Sequence, residues 1–276
     1  MRNIWLTLGR HSIFLIASTA VFLGCGKDLS PEDTTPPSPP AIIPRSDEIA
    51  FVEQGIDADP GTGDQSYWIR IEWEWNSESD LFGYKIYRMD ERDSLGQFAQ
   101  IADLRVGVNL LRETDPIPFY VDQSPVLVPD QITGASHGFY YSVRAYDTAD
   151  NVSAPSDIAY YRLMQKPTGL RIAGVAGVNF NLIWDYYSQE TWHYFYIRMY
   201  LTTAPQIRLW SYRAELYGAP YLVTFNTDGG ANSDYFRGGS DSLIAGNYTW
   251  MVDVVNDFNP VHPAGAETQS TFTVAP

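Results

Sequence analysis

Residues 67–75 alternate strictly. Ile69, Ile71, Trp73 and Trp75 fall on one side of a period-two pattern, and Arg70, Glu72 and Glu74 on the other. That is the signature of an antiparallel strand with one buried face. The turn at 76–80 leads into a second strand, Tyr84-Lys85-Ile86-Tyr87-Arg88. Farther on, Phe139, Tyr141, Val143 and Ala145 point one way and lead to a polar turn at 147–151. The pattern returns with Phe180, Leu182 and Trp184, with Phe195, Ile197 and Met199, and along 248–254, and a strand at 271–274 is expected to close the sheet. Gly, Pro, Asn and Asp separate these runs, and no stretch keeps a helical period beyond a turn or two. Short alternating strands punctuated in this way predict an all-β sandwich architecture.

The N-terminus follows a different rule. Arg2, Arg10 and His11 precede an apolar run at 12–24 that ends at Cys25. The run is too short to span a bilayer comfortably and reads as a secretory signal. Phe22-Leu23-Gly24-Cys25 resembles a bacterial lipobox, with Phe22 where Leu is usual. The resemblance implies that residues 1–24 are removed and that Cys25 is lipidated as the new N-terminus. Stable residence in a membrane takes more than one acyl chain, which such an anchor supplies. Gly26 is not the Asp that holds enteric lipoproteins in the inner membrane, so the outer membrane or cell surface is the favoured address. Residues 26–40 contain five prolines and no periodicity, which gives a semi-stiff extended tether.

Composition narrows the function. The chain has 276 residues, 18 Lys+Arg against 33 Asp+Glu, and a net charge of -15. Loss of residues 1–24 removes Arg2 and Arg10 and no acid, taking the charge to -17. An acidic surface repels nucleic acid and anionic headgroups alike, so membrane contact is expected through the lipid alone. A single cysteine excludes a disulfide framework and cysteine-rich metal sites. The length suits two domains, each with its own core.

The domain markers point to a family. The linker Asp33-Thr34-Thr35-Pro36-Pro37, Trp73, the run Gly83-Tyr84-Lys85-Ile86-Tyr87-Arg88 after Asp80, Tyr120-Val121-Asp122, and Tyr141-Ser142-Val143-Arg144-Ala145-Tyr146-Asp147 followed by Asn151-Val152-Ser153 and Ser156 resemble a bacterial fibronectin type III domain. Phe139 stands where that family has its tyrosine corner, and Asp150 where it has Gly. After Pro167 a second unit of fibronectin or immunoglobulin type is expected, with a tyrosine corner at Tyr248. The division is thus a lipoprotein signal peptide (1–24), lipidated Cys and Pro-rich tether (25–40), a fibronectin type III-like domain (41–163) and a second fibronectin/immunoglobulin-like domain (164–276).

Candidate chemistry is sparse. Gly134-Ala135-Ser136-His137-Gly138 matches a hydrolase nucleophile pattern, but strand residues follow where that elbow needs a helix. Glu72 and Glu74, roughly 7 Å apart on one strand face, read as a solubilising surface. His137, His193 and His262 lack metal-ligand spacing. The acidic loops at 57–64 and 228–234 have oxygen ligands suited to calcium but not the EF-hand pattern. No cofactor and no metal are therefore expected. The most suggestive surface is aromatic: with Phe195, Ile197 and Met199 inward, Tyr194, Tyr196, Arg198 and Tyr200 form an outward row, joined by Met251, Asp253 and Val255 from the neighbouring strand. Tyr, Arg and Met together have the composition of a protein-docking patch, and a planar tyrosine row also suits sugar rings. The sequence reads as a lipid-anchored, non-catalytic envelope protein that binds a protein partner, with glycan capture as the alternative and a hydrolase as a remote one.

Overall fold

The structure is a computed structural model that describes residues 33–44, 67–130, 133–189, 193–215, 218–219, 221–237, 242–256 and 264–276. Cys25, the signal segment, the acidic loop at 57–64 and His262 lie outside the described residues.

The first set of strands is β1 (Ile69–Glu72), β2 (Leu81–Asp90), β3 (Ala99–Arg105), β4 (Phe119–Asp122), β5 (His137–Asp147) and β6 (Ala159–Leu163). The second is β7 (Thr168–Val175), β8 (Val178–Asp185), β9 (His193–Leu201), β10 (Ala204–Ala214), β11 (Tyr221–Thr224), β12 (Gly246–Asn256) and β13 (Ala264–Val274). In the first set β1 pairs with β4, and Ile42 extends that layer through a bridge to Trp73. The opposing layer runs β3-β2-β5-β6. The second set repeats the scheme, with β11-β8-β7 opposing β10-β9-β12-β13. The first sets two strands and the Ile42 bridge against four, the second three strands against four, and the chain is all-β, with two tandem fibronectin type III or immunoglobulin-like sandwiches.

The alternation explains the core. Ile69, Ile71, Trp73, Phe139, Tyr141, Val143 and Ala145 are fully buried in the first sandwich, and Phe180, Leu182, Trp184, Phe195, Ile197 and Met199 in the second. Trp73 meets Tyr84 edge-on at 5.2 Å, and Trp184 meets Phe195 in the same way at 5.2 Å. Tyr248 forms the tyrosine corner, its hydroxyl donating to the Ile244 carbonyl at 2.8 Å. In the first sandwich Phe139 has no hydroxyl to offer, and the buried His137 bridges back instead. Its Nδ1 lies 2.7 Å from the Val128 carbonyl and its Nε2 2.6 Å from Asp90 Oδ1. Asp122 adds an inter-sheet tie, accepting from Arg88 at 2.7 Å and from the Tyr141 hydroxyl at 2.9 Å.

Residues 35–276 form one compact unit. Its four-stranded layers join edge to edge, because β13 runs parallel to β6 with Ala264 opposite Arg162 and Gly265 opposite Leu163. The Met164 N–H donates to the Gly265 carbonyl at 2.9 Å, and one eight-stranded sheet runs from β3 to β10.

Candidate functional site

β12 lies between β9 and β13, with Tyr194 opposite Val255, Tyr196 opposite Asp253, Arg198 opposite Met251 and Tyr200 opposite Thr249. Because β9 buries Phe195, Ile197 and Met199 against the other layer, the even-numbered residues share the outer face with Met251, Asp253 and Val255. Tyr194, Tyr196, Tyr200 and Met251 are half-buried there. On β10, Arg213 faces Tyr196 across the sheet and places its guanidinium 3.8 Å from the centre of the Tyr194 ring, a cation–π contact.

The expectation that Arg198, Asp253 and Val255 offer themselves to a partner needs correcting. They are only 6%, 1% and 0% exposed. Arg198 is gripped by Asp253 through Nε at 2.9 Å and Nη2 at 2.6 Å, and its Nη2 also donates to Glu267 on β13. Burial alone would lower the pKa of the guanidinium, but the two carboxylates raise it well above its ordinary value. Buried charges survive when they are paired and hydrogen-bonded in this way. Val255 stands opposite Tyr194 on one side and Gly265 on the other, and Gly265 in turn pairs with Leu163, so this end of β12 is interior to the long sheet. Sequence reasoning missed Glu267 and Arg213. The alternation of Glu267, Gln269 and Thr271 along the last strand held the signal for the first.

Other candidates take structural roles. Ser136 is buried, and β5 begins at the next residue, so no strand-to-helix elbow forms. Both glycines of that motif have steric reasons. Gly134 has φ +73, and a Cβ there would lie 2.9 Å from the Tyr187 ring. At Gly138 a Cβ would run into the Tyr160 hydroxyl and the Glu91 carboxylate, which bond to each other at 2.6 Å. The reading of Glu72 and Glu74 as one solubilising face is half right: Glu74 is exposed, but Glu72 is buried and forms an ion pair with Arg70 at 2.7 Å. In the loop at 228–234, Asp228 Oδ1 accepts from the Trp210 indole at 2.8 Å and from the Gly230 N–H at 3.0 Å. The backbone of His193 begins β9.

No protein-family model matches the chain, and no curated protein matches it in sequence. Among the solved structures it matches are the chicken CNTN1 FN1–FN3 domains, at 13% identity and a TM-score of 0.31, covering 87% of this chain and 69% of that one. A two-domain fibronectin type III segment of chicken tenascin matches at 7% identity and a TM-score of 0.26, covering 87% of this chain and all of that one. The Clostridium perfringens spore cortex lytic enzyme SleM matches at 18% identity and a TM-score of 0.25, over 48% of this chain and 29% of that one.

Proposed function

We propose that the chain is a lipid-anchored protein of the bacterial cell envelope that works by binding rather than catalysis, docking an envelope protein on the outer face of β9 and β12. The observation that carries this reading is the set of half-buried side chains Tyr194, Tyr196, Tyr200 and Met251 on adjoining strands. Tyrosine and methionine are enriched at protein interfaces, and tyrosine among their energetic anchors. Beneath them the Arg198–Asp253–Glu267 cluster ties three strands together, which pre-organises the surface and lowers the entropy lost on docking. The lipid on Cys25 supplies the address and the Pro-rich tether the reach, on the outer membrane or cell surface.

Crosslinking in intact cells tests the docking face. Tyr196→Ala, Tyr200→Ala and Met251→Asp are each expected to abolish one specific crosslinked product while leaving the thermal midpoint within about 2–4 °C of the parent. Retention of that product in all three variants would sink the reading. Cys25→Ser is expected to lose the acyl mass and release the protein from membranes.

A further inference from the structure

The outer face of the first sandwich carries a groove of about 540 Å³ that neither the core nor the tyrosine row uses. Tyr87 on β2 and Ser142 on β5 line its floor, Phe98 stands on one side, Pro155 and Ile158 on the other, and Arg144 and Asp157 contribute its charges. Local sequence builds the Pro155 side. After Val152 bridges to Tyr146, the Ser153 and Ser156 N–H groups donate to the Ala145 and Val143 carbonyls, both at 2.9 Å. The hydroxyls of the same serines accept the Ala145 and Val143 N–H groups, again at 2.9 Å. Serine side chains thus replace the carbonyls of a regular ladder, and Pro155 between them has no N–H to give. The segment bows out and leaves Ile158 59% exposed.

The polar groups of the groove divide into committed and uncommitted. Ser156 Oγ, besides accepting from Val143, donates to the Asp157 carbonyl at 2.7 Å and lies 3.5 Å from Ser142 Oγ. Arg144 makes one long bond, Nη1 to the Ser153 carbonyl at 3.4 Å, and sits 5.7 Å from the centre of the Tyr87 ring. Among the described residues neither Arg144 nor Asp157 forms an ion pair, with each other or with anything else. With 33 acids to 18 bases in the chain, a shortage of carboxylates does not explain the solitary arginine.

One cation, one anion and two aromatic rings in a single groove select among ligands. An anionic ligand gains Arg144 but meets Asp157, and a cationic one meets the reverse. A purely apolar ligand strips water from both charges and returns nothing. A zwitterion pairs with both charges but leaves the two rings unused, whereas a neutral sugar ring can use all four groups: its hydroxyls donate to Asp157 and accept from Arg144, and its C–H faces lie on Tyr87 and Phe98. The volume falls within the range of about 300–1,000 Å³ common to small-ligand sites. We propose that this groove binds an uncharged glycan. The site lies on a different sandwich from the protein-docking face and stands or falls independently of it.

Calorimetric titration of the full-length protein in detergent micelles tests the proposal, with cellohexaose, chitohexaose and maltohexaose as neutral probes and hexagalacturonate as the acidic one. At least one neutral hexasaccharide is expected to bind. Arg144→Gln and Asp157→Asn should each weaken it about tenfold, with unchanged thermal midpoints, and Tyr87→Ala should weaken it further. Tyr196→Ala should leave glycan affinity untouched. Three results would overturn the proposal: no binding of any neutral probe, tighter binding of hexagalacturonate, or unchanged affinity in Arg144→Gln and Asp157→Asn.

Discussion

Asp150 holds a backbone conformation that costs an L-residue energy, with φ +64 in the turn between β5 and the serine segment. Its neighbour Asp147 shapes the turn, accepting from the Ala149 and Asn151 N–H groups at 2.8 Å each and from the Asn151 side chain at 2.9 Å. Glycine takes that conformation without the steric penalty that a Cβ brings. Asp150→Gly should stabilise the protein by about 0.5–1 kcal/mol, relief of left-handed strain outweighing the extra freedom gained by the unfolded chain. Urea unfolding reads it directly, and a loss of stability would mean that the Asp side chain compensates for the strain. Stability should also depend on pH in the alkaline range. Burial and a 2.5 Å bond to Asp103 push Tyr146 up to about 12, burial and Glu91 raise Tyr160, and burial and Asp122 raise Tyr141. The folded state keeps these phenols protonated where the unfolded chain has lost the proton. Their contribution is therefore complete below about pH 10 and is lost as pH rises above it. Stability measured at pH 8 and pH 11 should fall between the two, and Tyr146→Phe with Tyr160→Phe should flatten the fall.

At the scale of the element, strand faces were legible because each apolar side chain sits two residues from the next. Tyr67-Trp68-Ile69-Arg70-Ile71-Glu72-Trp73 fixes its own inner face whatever it packs against. Arg198 was not legible, since a charge at an outward position reads as solvated until the strands beside it are known. Its partners are 55 and 69 residues away, and no local pattern reports a contact across three strands. The groove of the first sandwich was hidden for a related reason: Ser153 and Ser156 were visible as family markers, but not that their hydroxyls replace ladder carbonyls. The buried cluster makes a sharp prediction. Arg198→Met takes from the buried Asp253 and Glu267 the guanidinium that both grip and should destabilise the protein by about 3–5 kcal/mol, whereas replacing all three with apolar residues of similar volume should recover most of that loss. Denaturant midpoints of the two variants test it. Equal loss in both would show that the arginine's packing, rather than its charge, carries the effect. A charge reversal at Arg198 consequently probes folding, and docking is better probed at Tyr196 or Met251.

At the scale of the whole molecule, backbone pairing, side-chain hydrogen bonds and shared apolar packing join the sandwiches. β6 and β13 pair side by side, the Gln165 side chain donates to the Asp130 carbonyl at 2.8 Å, and the Gly134 carbonyl accepts from the Ser188 hydroxyl and the Gln189 N–H, both at 3.4 Å. Buried side chains from both sandwiches belong to one continuous hydrophobic cluster. Two units on a flexible string unfold separately, whereas units that share a sheet and a core lose both together. The protein should therefore show a single unfolding transition, with tryptophan fluorescence and far-ultraviolet circular dichroism coincident in urea. Gly134 gives the test a handle. An alanine there meets the Tyr187 ring and a left-handed backbone, and should cost about 1–2 kcal/mol. If the joint couples the two sandwiches, Gly134→Ala lowers the midpoint of one shared transition. If they are independent, the probes separate and only part of the signal moves. The motif that matches a nucleophile pattern in the sequence is in this way a point of contact between the sandwiches, its first glycine fitted against Tyr187 and its second against Tyr160 and Glu91.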